Sequence, residues 1–211
     1  MIVLRYTRLG TRRFLSHIDV LRDFGRIVRR ADIPVGYSGG FNPHALLFFS
    51  PPMPVGVGSV AEYAAIDTPL TADETAERFN AASGEDMRAE EAFEVPRNPN
   101  LAGRIVAASY LFPFAADAYD FSRGLTVEYV KKGETVREDV SERIFAAGEK
   151  EGRMLLTLAS GNVTLRADRV FAALKGLTGC DGDVSDVVKT EQFFREDGVL
   201  VPVREALVRK E

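Results

Sequence analysis

Apolar and polar positions alternate over residues 2–9, Ile-Val-Leu-Arg-Tyr-Thr-Arg-Leu, which predicts a strand. Gly10-Thr11 reads as a turn, and residues 12–15 read as a second extended piece. From Ser16 the period lengthens. Ile18, Leu21, Phe24, Val28 and Ala31 recur at helical spacing and predict a helix from about His17 to Ala31, with those five on its core face. Ser16 is the expected N-cap, with Asp19 three positions on. Arg22, Arg26, Arg29 and Arg30 fall on another face of the same helix, one turn apart. Gly25 inside it costs about 1 kcal/mol relative to Ala, which implies that something packs closely there. Pro34 stops the helix.

The next segment, residues 35–60, combines turn signals at Gly39-Gly40 and Asn42-Pro43 with a strand-like apolar run at Ala45–Ser50. Residues 61–67 predict another strand. Thr71 and Glu74 have the spacing of a capping box, opening a helix to about Ala82, and residues 87–95 predict a further strand. The order strand, helix, strand, strand, helix, strand matches the split βαβ, ferredoxin-like plan. A polar linker, Pro96-Arg-Asn-Pro-Asn, separates this half from the next.

Beyond it, residues 105–114 predict a strand and 116–123 a short helix. Two hairpins follow, 125–131 with 134–140 and 142–149 with 152–159. A helix at about 164–178 places Val170, Phe171, Leu174 and Leu177 inward, and strands at 186–194 and 199–203 close the chain. The expected fold class is α+β: two ferredoxin-like (split βαβ) sandwich domains, residues 1–96 and 103–211.

Charge changes this picture more than composition does. The 211 residues carry a formal net charge of −4, yet residues 1–61 hold eight Arg and three Asp, a balance of +5. Residues 62–102 hold ten acids against three Arg, a balance of −7. All the N-terminal basicity is arginine, whose planar fork suits phosphate and carboxylate. Part of it is open to neutralisation by the acidic segment within one domain. Cys180 is the single cysteine, which excludes an internal disulfide and a Cys-based zinc site. No apolar run is long enough to span a bilayer, and the first residues lack signal-peptide character. A cytoplasmic protein is the expectation.

Three features carry candidate chemistry. The arginine stripe Arg22, Arg26, Arg29 and Arg30, with Arg5, Arg8, Arg12 and Arg13 before it, offers a positive row for successive phosphates or a solvated face with internal ion pairs. The loop Tyr37-Ser38-Gly39-Gly40-Phe41-Asn42-Pro43-His44 offers two aromatic rings for stacking around flexible glycines. It matches neither a P-loop nor a dinucleotide fingerprint. The only two histidines, His17 and His44, stand with Asp19 and Glu62 in this same region. They are the ingredients of acid–base chemistry, but no spacing makes them a metal site, and neither metal nor cofactor is expected. Cys180, in an acidic turn, has no neighbour that would activate it.

The same residues carry a resemblance. Arg13-Phe-Leu-Ser-His17-Ile-Asp19, Arg22, Arg29-Arg30-Ala31, Pro34, Tyr37-Ser38 and Gly40-Phe41-Asn42-Pro43-His44 form its first part. Pro54-Val55-Gly56, Ser59 and Glu62-Tyr63 complete it. Together they resemble the bacterial radical SAM-linked family, also called domain of unknown function 2344, over about residues 12–67. That resemblance implies an accessory module working beside a radical SAM protein, with RNA as a shared substrate; it implies no catalytic residues. Without a Cys-x3-Cys-x2-Cys motif this chain cannot hold the iron–sulfur cluster itself.

The leading expectation is a non-catalytic module that docks RNA or another phosphate-rich partner. Its binding residues would be Arg13, His17, Arg22, Arg26, Arg29, Arg30, Tyr37, Ser38, Gly40, Phe41, Asn42, His44 and Glu62. One alternative is an RNA-processing subunit using His17, Asp19 and His44. The other is a protein–protein adaptor whose Arg stripe meets an acidic surface.

Overall fold

A computed structural model describes residues 1–209. Seven strands follow one another in the order β4-β1-β3-β10-β5-β9-β8, and β2 and β11 add to β3 and β10 to make a nine-stranded sheet. In chain order these are β1 (Ile2–Arg8), β2 (Leu47–Phe49), β3 (Gly58–Ile66), β4 (Ala89–Glu94) and β5 (Ala107–Ala115). They continue with β8 (Ile144–Lys150), β9 (Arg153–Ala159), β10 (Val188–Glu196) and β11 (Val199–Pro202). The hairpin β6 (Thr126–Lys131) with β7 (Glu134–Asp139) stands apart as a second sheet. Every pairing is antiparallel except β3 with β10. Strands from residues 1–96 and from 103–209 thus share one sheet.

Among the described residues five α-helices cover it. On one face α1 (His17–Arg30) and α2 (Ala72–Ala82) pack on Ile2, Leu4, Tyr6, Ala64 and Ile66, with Phe24 ringed by Tyr6, Phe49 and Phe79 at centroid distances of 4.8–5.2 Å. Farther along, α4 (Ala167–Thr178) packs on Ala108, Phe112, Leu156 and Leu158, and the β6–β7 hairpin closes over it, with Arg169 stacked 3.4 Å from the Tyr129 ring centre. The opposite face of β1 and β3, Val3, Ala61, Tyr63 and Ala65, meets α3 (Leu101–Arg104) and α5 (Val203–Val208).

Several expectations need correcting. Of residues 12–15 only Leu15 is extended; Gly10–Phe14 form a 3₁₀ turn. The buried guanidinium of Arg8 draws this turn together by donating to the carbonyls of Arg12, Arg13 and Leu15 at 3.0, 3.0 and 2.6 Å. Helix α1 is rotated from its expected setting: Val20, Phe24, Ile27 and Val28 are buried, whereas Ile18 is exposed. Leu177 is likewise exposed at the end of α4. The helix expected at 116–123 is only a 3₁₀ turn at Phe121–Arg123, and the short helices α3 and α5 had no sequence signal. The caps agree with the reading: Ser16 Oγ accepts from the Asp19 amide, and Thr71 with Glu74 forms a complete capping box.

Candidate functional site

Two places combine the residues that carry chemistry. The first lies inside the fold, where β3 and β10 separate. Their backbone pairing covers only Val188 with Gly58 and Lys189 with Ser59. A register shift at Thr190 then turns β10 away, and side chains occupy the opening. Tyr6 pairs with Glu62 across β1 and β3, and Lys189 pairs with Tyr110 across β10 and β5. Lys189 Nζ lies 2.8 Å from Glu62 Oε1, with 2% and 7% of the two side chains exposed. It is an ionic contact without the alignment of a hydrogen bond.

Ser50 donates to the other Glu62 oxygen at 3.2 Å. Gln192 donates to the Ala61 carbonyl at 2.5 Å in place of the missing ladder bond, and its own carbonyl oxygen is buried without a partner. On the reverse face Tyr63 donates to Glu191 at 3.0 Å, and Arg5 lies 3.7 Å from the same carboxylate. Burial, reinforced by the Glu62 charge, raises the pKa of both Tyr6 and Tyr110, which remain neutral phenols.

His17 opens α1 above this cluster. Burial lowers its pKa below 6.5; Glu62 opposes that shift and Arg8 adds to it. The ring lines a cavity of about 300 Å³ with Leu21, Phe49, Ser50, Asn98 and Asn100. Asp19 instead faces a separate groove with Arg22 and Arg26, held by its Ser16 contact at 2.6 Å and by Arg22 at 3.5 Å. His44 is exposed on the loop between α1 and β2. His17 therefore lies within electrostatic reach of Glu62 and Arg8, while Asp19 faces another groove and His44 stands on an exposed loop. Among the described residues no three His, Cys, Asp or Glu side chains converge as metal ligands.

The second place is the outer face of α1. The arginines of β1 and the following turn are occupied: Arg5 by Glu191, Glu91 and the Thr190 carbonyl, Arg8 by its three carbonyls, Arg12 by Asp23 at 3.1 Å and Arg13 by the Ser185 carbonyl. The helix arginines are exposed. Arg22 touches Asp19, Arg30 donates to the Ala82 carbonyl at 3.1 Å, and Arg26 and Arg29 have no ionic or hydrogen-bonded partner among the described residues.

Beside Arg29 runs a groove of about 460 Å³ between α1 and the loop, with Gly25, Val28, Ile33 and Leu47 in its walls and Tyr37 at its rim. Tyr37 is held by its bridge to Ala45, and the loop by Ser38, whose amide donates to the His44 carbonyl at 2.9 Å and whose hydroxyl accepts from the His44 amide at 3.0 Å. Gly40 turns the tip at φ +108°. Phe41 and Asn42 stand exposed there. Gly25 does not serve close packing, contrary to expectation: a Cβ built on it meets nothing within 4 Å. Its helical cost of about 1 kcal/mol leaves open space on the groove wall.

Sequence reasoning placed His17 and Glu62 in one region but missed Lys189, Ser50 and Gln192. Lys189 carried a weak signal, a lone cation after Val187-Val188 in a strand pattern. The family model described as "Uncharacterized protein conserved in bacteria (DUF2344)" matches residues 1–166. The chain belongs to this family. The match takes in the residues of both places except Ser185 and, from β10, Lys189, Thr190, Glu191 and Gln192, all of which lie beyond residue 166. A comparison with curated proteins finds no match. No helix among the described residues is long and apolar enough to cross a membrane.

Proposed function

We propose that this chain is a non-catalytic binding module that docks RNA on the outer face of α1. One observation carries the reading. Arg26 and Arg29 project into solvent without a carboxylate partner, while the arginines of β1 and the turn are consumed inside the fold. Unpaired guanidinium groups one helical turn apart, with the exposed Tyr37 in the groove beside Arg29, suit a phosphate backbone. The site is on a rigid element, since the opposite face of α1 buries Phe24 and Ile27 completely.

Three finer readings belong with it. Residues 1–96 form a split βαβ unit, which the run β4-β1-β3-β2 and the two helices on one face support. The module works in the cytoplasm. Its protein partner is a radical SAM enzyme, a reading supported by the motif run over residues 12–67 alone.

The test is a salt titration of binding to a single-stranded oligoribonucleotide by the full chain and by Arg22→Ala/Arg26→Ala/Arg29→Ala. The variant is expected to fold normally and to bind more weakly. Its log–log salt dependence should be shallower by about 0.7 per lost phosphate contact. Unchanged affinity and slope overturn RNA docking at this face. Capture of an acidic protein that survives nuclease treatment favours the adaptor instead.

A further inference from the structure

We infer that the groove beside Gly25 is a pocket for a single unstacked nucleobase, so that the module takes single-stranded RNA and not duplex; this rests on the RNA-docking reading above.

The groove has the components that base recognition needs and an arginine row alone lacks. Its volume of about 460 Å³ falls in the size range of small-ligand sites, roughly 300–1,000 Å³. The walls Val28, Ile33 and Leu47 are apolar, and Tyr37 presents an exposed ring at the rim. A tyrosine fixed by its neighbours is a stacking platform for any base. The Tyr37–Ala45 bridge, the Gly36 amide on the Asp67 carbonyl at 2.8 Å and the Leu46 amide on the Gly36 carbonyl at 2.8 Å hold the backbone that carries this ring.

Charged residues line the groove beside its apolar walls. Arg29 reaches the groove from the helix, one turn after Gly25, and its guanidinium suits the phosphate attached to a base seated below it. Asp32 lines the same groove, and a carboxylate is an acceptor for an exocyclic amine or a ribose hydroxyl. Duplex RNA keeps its bases stacked inside the helix, and only a splayed base can enter such a pocket.

Gly25 is the second, independent observation. Nothing in the fold demands a glycine there: it lies inside α1, its added Cβ is unobstructed, and it lines the groove. A larger residue would support the helix better and would fill the pocket. The absent side chain is accounted for by what the groove admits.

The experiment measures anisotropy of three labelled probes on the full chain: a single-stranded RNA of about 12 nucleotides, its duplex, and an abasic strand of the same length. The variants are Gly25→Leu, Tyr37→Ala and Arg26→Ala/Arg29→Ala. The intact chain should bind the single strand about tenfold tighter than the duplex or the abasic strand. Tyr37→Ala and Gly25→Leu should lower single-strand affinity to the abasic level and leave abasic binding unchanged, with the melting temperature of Gly25→Leu not reduced. The arginine variant should weaken all three probes. Equal binding of the three probes, unaffected by Tyr37→Ala and Gly25→Leu but weakened by the arginine variant, overturns the base pocket and leaves phosphate docking standing. Failure of all three probes to bind, or their indifference to the arginine variant, overturns the docking reading itself.

Discussion

Lys189 meets the buried carboxylate of Glu62 at 2.8 Å at the point where β3 and β10 cease to exchange backbone hydrogen bonds. The two residues are 127 positions apart in the chain, and their contact ties the N-terminal strands to the C-terminal ones across a gap in the sheet. Removing one partner leaves an uncompensated charge in the interior. Lys189→Met is expected to cost about 3–5 kcal/mol in denaturant unfolding, and Lys189→Met/Glu62→Leu to recover most of that loss. A single variant as stable as the parent chain would show that the pair is not structural.

The arginines separate into two classes with opposite expected behaviour. Arg8→Met strands three carbonyls that the guanidinium now satisfies and should destabilise the chain by about 3 kcal/mol or more. Arg22→Ala, on the exposed face, should change stability by less than about 0.5 kcal/mol. Thermal unfolding of the two variants side by side checks the contrast.

His17 gives a pH dependence whose sign is determined. Burial holds its folded pKa below the ordinary 6.5, with Arg8 acting in the same direction and Glu62 against both. Between the folded and unfolded values the unfolded chain binds more protons, so stability rises with pH. The contribution is complete above about pH 6.5 and is lost as the pH falls through the folded value. NMR titration should place His17 below 6.5, and His17→Gln should flatten the stability profile in that window.

Helix α2 begins at a complete capping box. Thr71 Oγ1 accepts from the Glu74 amide at 3.3 Å, and Glu74 accepts from the Thr71 amide at 3.2 Å. Thr71→Ala should cost about 1 kcal/mol in global unfolding, and Ser16→Ala at the start of α1 a similar amount.

Local pattern carried the reading wherever local interactions decide. Ser16 and Thr71 mark helix starts by hydrogen bonds within a few residues, and α1 ends ahead of Pro34, whose ring and missing amide cannot continue a helix. The two hairpins, turning at Lys132-Gly133 and Glu151-Gly152, were legible for the same reason. The setting of α1 was not, because the choice between Ile18 and Ile27 for the core depends on where β1, β2 and α2 stand. The 3₁₀ turn at Gly10–Phe14 depends on one buried guanidinium, and no local pattern announces that.

By itself the sequence determined where the exposed arginines would fall and that the first half alternates strand and helix, since periodicity and caps act over a few residues. Only the tertiary structure decided which arginines remain available, because partners as distant as Ser185 and Glu191 take up Arg13 and Arg5. It also decided that Gly25 faces open space, that the charges acting on His17 are those of Glu62 and Arg8, and that Lys189 completes the buried cluster. These contacts join elements across most of the chain, and long-range strand order, not local propensity, brings them together.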